Sequence, residues 1–264
     1  MTGNTNPRTT AVNLNADVGE SYGSYQMGDD AALIPIIGSA NIACGFHGGD
    51  PLVMQQALEL AMDNQVSIGA HPSFPDLQGF GRRKMVLSNE ELRATLWYQV
   101  AAIDGVAKAM GTRLTHVKPH GAMNNMACED AVMASVIASA IKEYRSDLIL
   151  LAPAGSQLAI QGAMLGLTIA NEIFADRAYQ DDGNLVPRSE PGAVLHDVTD
   201  CVKQVLACLE QGGIVTQSGK LLKTSIHSIC VHGDNAHSVE VARNLHRALA
   251  QAGYTLKTLP ELVA

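Results

Sequence analysis

Val12-Asn13-Leu14-Asn15-Ala16-Asp17-Val18 alternates apolar and polar residues without a break. Successive side chains of a β-strand point to opposite faces, so Val12, Leu14, Ala16 and Val18 share one face and Asn13, Asn15 and Asp17 the other. A strand covered by helices on both sides in an open parallel sheet is apolar on both faces. A wholly polar face instead suits a strand whose inner side lines a lumen, where polar groups can pair. Leu114 to His120 repeats the split, with His116, Lys118 and His120 on one parity. These two stretches predict a closed (β/α) barrel rather than an open doubly wound sheet. Asn13 and His116, early in their strands, read as satisfied polar groups of its interior.

Outward from these stretches, short β-like runs alternate with longer runs of helical spacing, and no two strands are joined by a tight hairpin signal. The remaining predicted strands are Ala40 to Cys44, Val66 to Ala70, Leu148 to Leu151, Thr168 to Ile173, Ser225 to Val231 and Thr255 to Lys257. Asp50-Pro51 reads as a helix N-cap and first-turn proline, and Ser88-Asn89-Glu90-Glu91 as a capping box with Gly111 as the stop. Apolar stripes at Val198 to Leu209 and Val239 to Leu249 close at Gly212-Gly213 and at Gly253. Seven or eight strands with about seven helices and no linker place residues 11–264 in one α/β barrel domain. The polar extension Met1 to Thr10 is expected to be disordered.

The composition narrows the function classes. The chain has 264 residues, 47% of them hydrophobic, and a formal net charge of −8 with no basic stripe, which argues against nucleic acid as a partner. It contains no apolar run of the roughly 20 residues that span a bilayer and no signal peptide, so no membrane association is expected and a cytoplasmic location is. Five scattered cysteines without a C-x-x-C pair read as reduced small hydrophobes, excluding zinc-ribbon and disulfide scaffolds.

In a barrel the reacting groups stand at the carboxyl ends of the strands. His47, His71, His120 and His232 each follow a predicted strand next to glycine or proline, and they converge with Asp17, Lys118 and Asp234. Arg82, Arg177 and Arg188 are candidates to clamp a carboxylate. Asn15 and Asp176, in the same segments, join them as candidate substrate contacts.

The segments concerned are LNADVGES, NIACGFHGGDP, GAHPSFPD with GFGRR, VKPHGA, FADRAY with LVPRS, and ICVHGD, running in order from Leu14 to Asp234. Together they resemble the LamB/YcsF family. The resemblance implies a TIM-like barrel related to the glycoside hydrolase/deacetylase group. It also implies a role as the A subunit of an ATP-dependent 5-oxoprolinase, which opens 5-oxo-L-proline (pyroglutamate) to L-glutamate and works with separate subunits B and C. ATP, with Mg2+ as its counter-ion, is the implied cofactor, and no protein-bound metal is expected.

For such a reaction Asp17, His71 or His120 would serve as general base toward water, and Lys118 would stabilise negative charge. His47, His232 and Asp234 would complete the pocket, and Arg177 would hold the substrate carboxylate. Gly213 to Leu221 comes nearest to a phosphate-binding Walker A loop, but it has five residues between its glycines and leucine after lysine, and reads as an ordinary turn. Two rival readings stay open. In one, Asp17, His47, His71 and His120 bind a divalent ion in an amide hydrolase or carbohydrate deacetylase; the missing H-x-H and paired-aspartate signatures stand against it. In the other, the chain is a non-catalytic substrate-binding subunit, against which stands the density of ionisable groups at the rim.

Overall fold

Every second residue of the first strand is buried against helices, and every residue between faces inward. The computed structural model describes residues 11–233 and 237–263. In chain order the strands are β1 Ala11–Val18, β2 Ser39–Ala43, β3 Ser67–His71, β4 His116–Val117, β5 Ile149–Pro153, β6 Ile169–Phe174, β7 Gly213–Val215, β8 Leu221–Lys223, β9 Ser228–Val231 and β10 Thr255–Leu256. The helices are α1 Asp30–Leu33, α2 Pro51–Asp63, α3 Asn89–Ala109, α4 Gly121–Glu129, α5 Ala131–Tyr144, α6 Gln157–Met164, α7 Val198–Gln211, α8 Ser238–Gln251 and α9 Leu259–Val263.

Strands β1 to β6 pair in order and in parallel, β6 pairs with β9, and β9 returns to β1. Among the described residues the closed ring therefore has seven strands, and β10 joins only the start of β1, at Ala11 and Val12. Val12, Leu14, Ala16 and Val18 lie in the apolar layer between strands and helices. Asn13, Asn15 and Asp17 face the lumen, as bonds between strands that are not neighbours require. Asn15 on β1 donates to Glu172 on β6, and His116 on β4 meets Asn41 on β2. Asn13 bonds Ser39 and the Lys257 carbonyl, which makes it the satisfied interior group expected. An unpaired polar group buried here would cost roughly 1–3 kcal/mol, so pairing across the lumen is what permits the polar parity.

The helix punctuation reads true. Asp50 accepts hydrogen bonds from the Leu52 and Val53 amides, Ser88 and Glu91 form the capping box of α3, and Gly212 ends α7 with φ of 69°. Three expectations are corrected. The fourth strand stops at Val117, because Pro119 has no N–H for the ladder, so His120 caps α4 instead of continuing the parity. The segment around Gly213 is an antiparallel hairpin, β7–β8, which the absence of a hairpin signal did not anticipate; its strands are three residues each and its turn lacks an Asn-Gly pair. The helices number nine among the described residues, two of them of four and five residues, too short for a periodic signal. Residues 1–10 and Asp234 lie outside the described residues.

Candidate functional site

Lys118 follows the shortest barrel strand, and its backbone N–H still bonds the Ala70 carbonyl of β3, which aims its side chain into the lumen. It is 2% exposed. Its Nζ lies 2.9 Å from Asp17 Oδ1, 3.2 Å from Glu172 Oε2, 3.3 Å from Asn15 Oδ1 and 3.0 Å from Cys230 Sγ. Burial works against the ammonium, but the charge of Asp17 and the groups of Cys230 and Glu172 outweigh it and hold Lys118 well above the ordinary lysine range. Asp17 is buried too, yet His71 and Lys118 keep its carboxyl well below the usual carboxylate range. Glu172 goes the other way: burial, with the Asp17 charge adding to it, raises its carboxyl despite Lys118. One cation therefore stands between two carboxyl groups shifted in opposite directions, Asp17 down and Glu172 up.

Beside this group is a stack of imidazoles. His47 and His120 lie nearly parallel at 3.7 Å between ring centres, and His71 meets both edge-on. His71 Nε2 is 3.4 Å from Asp17 Oδ2 and 2.9 Å from His120 Nδ1. Glu20 Oε1 is 3.0 Å from His47 Nε2 and 3.6 Å from His120 Nδ1. Burial, together with the neighbouring imidazoles, holds His47 and His120 well below the ordinary histidine range, so both rings are neutral. Glu20, His47, His71 and His120 each present one donor atom within 4.8 Å of the others, a set with the composition of a metal site.

A cavity of about 340 Å³ opens above these groups, a size suited to a small molecule. Asp17, His71, Lys118 and His120 line it, and so do Arg82, Arg177, Arg188 and His232. The structure thus gathers the four expected catalytic side chains and four of the expected substrate contacts around one space. Asn15 and His47 are not among its lining residues; they stand behind Lys118 and His120 and hold them in place. Arg177 is 4% exposed, and its guanidinium donates to the carbonyls of Val186 and Ala193, pinning the loop that walls the cavity. Burial, with Arg188 nearby, lowers it to about 10. Asp176 bonds His232 Nδ1 at 2.9 Å, and that ring stacks on Phe174, so Asp176 orients a cavity-lining histidine.

Glu20 and Glu172 are functional candidates that the sequence reading did not single out. The signal for Glu172 was present: it is the lone charged residue of an otherwise apolar and amide strand, Ile169–Phe174. Glu20 carried no such mark, because only the turn at Gly19, with φ of 68°, brings it back toward His47.

Residues 12–264 match the LamB/YcsF family. The chain is 53% identical over 251 residues to the 5-oxoprolinase A subunit of Azoarcus sp. (strain BH72), covering 95% of this chain and 98% of that one. It is 48% identical to the 5-oxoprolinase A subunit of Rhodopseudomonas palustris (strain ATCC BAA-98 / CGA009), covering 93% and 97%. Among solved structures, the lactam utilization protein from Thermus thermophilus is 40% identical and superposes with a TM-score of 0.88 over 94% of this chain and all of that one. The catalytic domain of a peptidoglycan N-acetylglucosamine deacetylase from Eubacterium rectale ATCC 33656 shares the fold, with a TM-score of 0.51 at 12% identity.

Proposed function

The chain belongs to the LamB/YcsF family, and from that membership we propose that it opens the lactam ring of 5-oxo-L-proline to L-glutamate as the A subunit of an ATP-dependent 5-oxoprolinase. The observation that carries the reading to these residues is the buried Lys118 ammonium between Asp17 and Glu172 at the floor of a cavity of small-molecule size.

Closing glutamate into a five-membered lactam has the entropy advantage of an intramolecular reaction, so plain hydrolysis of the ring has little driving force. Transfer of the ATP γ-phosphoryl group to the lactam oxygen supplies it, leaving ADP and an imidate-like carbon open to water. Water adds to that carbon, the ring C–N bond breaks, and the nitrogen leaves as the amine of glutamyl phosphate, which a second water hydrolyses to glutamate and phosphate. Asp17, held as a carboxylate, is the base toward water. Lys118, fixed in its charged form, stabilises the negative oxygen. Arg82 and Arg188, on the cavity wall, receive the substrate carboxylate.

The glycine-flanked segment that comes nearest to a Walker A loop is a β-hairpin, so ATP with its Mg2+ counter-ion is assigned to an unconventional site on this chain or to a partner subunit, B or C. No described helix is long and apolar enough to cross a membrane, and the five free cysteines suit a reducing compartment, the cytoplasm. The test is glutamate release from 5-oxoproline and ATP, comparing this chain alone with a mixture reconstituted with subunits B and C. Turnover that requires this chain and disappears with Lys118→Ala is expected; full turnover with that variant would assign the chain a binding role only.

A further inference from the structure

We infer that Glu20, His47, His71 and His120 form a binding site for a divalent transition-metal ion of the Zn2+ or Co2+ type. Tautomers carry the argument. His71 Nδ1 is 2.7 Å from the backbone carbonyl of Lys118, and His120 Nε2 is 2.9 Å from that of Phe80. A carbonyl oxygen only accepts, so each of these nitrogens carries the ring proton. In the neutral rings the opposite nitrogens, His71 Nε2 and His120 Nδ1, present lone pairs to each other across 2.9 Å, and His71 Nε2 also faces Asp17 Oδ2 at 3.4 Å, so this point calls for a positive centre, a proton or a metal ion. Two lone pairs at that distance repel, and a positive centre between them turns the repulsion into attraction.

A proton would bridge one such pair, whereas the structure converges four donors. Glu20 Oε1 faces both His120 Nδ1 at 3.6 Å and His47 Nε2 at 3.0 Å, and His47 Nδ1 is buried with no hydrogen-bond partner, so that ring can move its proton there and turn Nε2 into a ligand. Zn–N bonds of 2.0–2.1 Å in tetrahedral geometry separate the donors by about 3.3 Å. The observed 2.9, 3.0 and 3.6 Å lie on either side of that value. Ligating histidines as a rule donate their other N–H to a carbonyl or carboxylate, as His71 and His120 do here.

The donor set selects the ion. Three imidazoles and one carboxylate suit Zn2+, Co2+ or Ni2+, while Mg2+ and Ca2+ take oxygen ligands. The site is therefore distinct from the counter-ion of a nucleotide, and it departs from the expectation that the protein binds no metal. That expectation rested on the absence of compact ligand motifs, whereas these four ligands come from four separate segments that only the barrel rim unites. An ion there stands beside Asp17 at the cavity floor, where it adds a Lewis acid to the Lys118 ammonium.

The site follows from the side chains whatever molecule the cavity takes, so its test is binding, not turnover. The untagged full chain, stripped with chelator and dialysed, is titrated with Co2+ and followed by visible absorption. One saturable equivalent per chain is expected, displaced by Zn2+, with ligand-field bands of a low-coordinate nitrogen and oxygen site. Glu20→Gln and His120→Asn, each checked for folding by circular dichroism, are expected to weaken Co2+ binding by more than ~100-fold, beyond the 10–100-fold typical of outer-shell changes. His246→Asn, on the exposed face of α8, should leave it unchanged. Should one variant fail to fold, the other together with nitrogen NMR of the wild-type imidazoles decides: Zn2+ must shift His71 Nε2 and His120 Nδ1. Absence of stoichiometric binding, unchanged affinity in the folded variants, or a proton between His71 and His120 that Zn2+ does not displace would overturn the assignment.

Discussion

Asp17 and Glu172 reach for the same ammonium and yet their carboxyl groups are shifted in opposite directions, Asp17 down and Glu172 up. Their neighbours explain the difference. Asp17 has His71 as well as Lys118 within reach, while Glu172 is fully buried and sees the Asp17 charge behind Lys118. Asp17→Asn leaves Lys118 without its committed counter-charge, and the expected loss is about 3–5 kcal/mol in urea unfolding at neutral pH. Glu172→Gln keeps the shape of a side chain whose carboxyl is shifted upward, not downward, and is expected to cost less, about 1 kcal/mol. Equal losses would mean that both carboxylates are ionised.

A second residue gives a pH signature. Asp30 accepts the Gly19 amide, but burial and the nearby Asp29 raise its carboxyl from 3.8 to about 6. The folded state therefore holds this proton more tightly than the unfolded chain, so the contribution is complete below about pH 4 and is lost as pH rises toward 6. Asn at this position keeps the acceptor and removes the loss. With allowance for solvent at this partly exposed site, Asp30→Asn should be about 1–2 kcal/mol more stable at pH 7, with the difference closing by about pH 4. A difference independent of pH would show that the Asp30 carboxyl is not shifted.

At the scale of elements, helix ends were the most legible features, because capping chemistry is local: Asp50, Ser88 with Glu91, and Gly212 act on amides and turns within a few residues. Hairpin β7–β8 was not legible, since three-residue strands offer no alternation to read. The β3–α3 connection shows how a loop shapes the site. Gly81 has φ of 63° and its N–H bonds the Asp76 carbonyl; a Cβ there would collide with Ser73 Oγ and come within 2.9 Å of His47 Cβ and His120. Gly81→Ala combines a left-handed backbone with contacts against two site histidines, and a stability loss of about 1–3 kcal/mol is expected. Its thermal midpoint and its Co2+ affinity should fall together; a midpoint shift with unchanged affinity would separate the loop from the histidine geometry.

For the whole molecule, closure depends on the chain returning to where it began. The segment after α8 adds β10 to the start of β1 and sends Leu259, fully buried, against Ile149, Leu151 and Ala170. Lys257 and Leu259 also bond Asn13 and Ser39, so the tail covers the amino-terminal end of the barrel, opposite the cavity. Leu259→Ala should cost about 2–5 kcal/mol, lowering the urea midpoint with an unchanged slope while ring opening at 25 °C is kept in the folded enzyme. A parallel loss of turnover per folded molecule would mean that the two ends of the barrel are coupled.

The sequence by itself determined the barrel, through the polar parity of Val12 to Val18, and that Asp17, His71, Lys118 and His120 stand together at its rim, through their places at strand ends. Periodicity and capping are properties of neighbours along the chain, so one chain suffices to read them. Only the tertiary structure decided that Glu172 shares Lys118 with Asp17, that Asn15 and His47 hold other side chains behind the cavity, and that Glu20 completes a set with three histidines. Those relations join residues up to 155 positions apart. Charge states and donor geometry act through space, and closing the ring is what sets the distances across it.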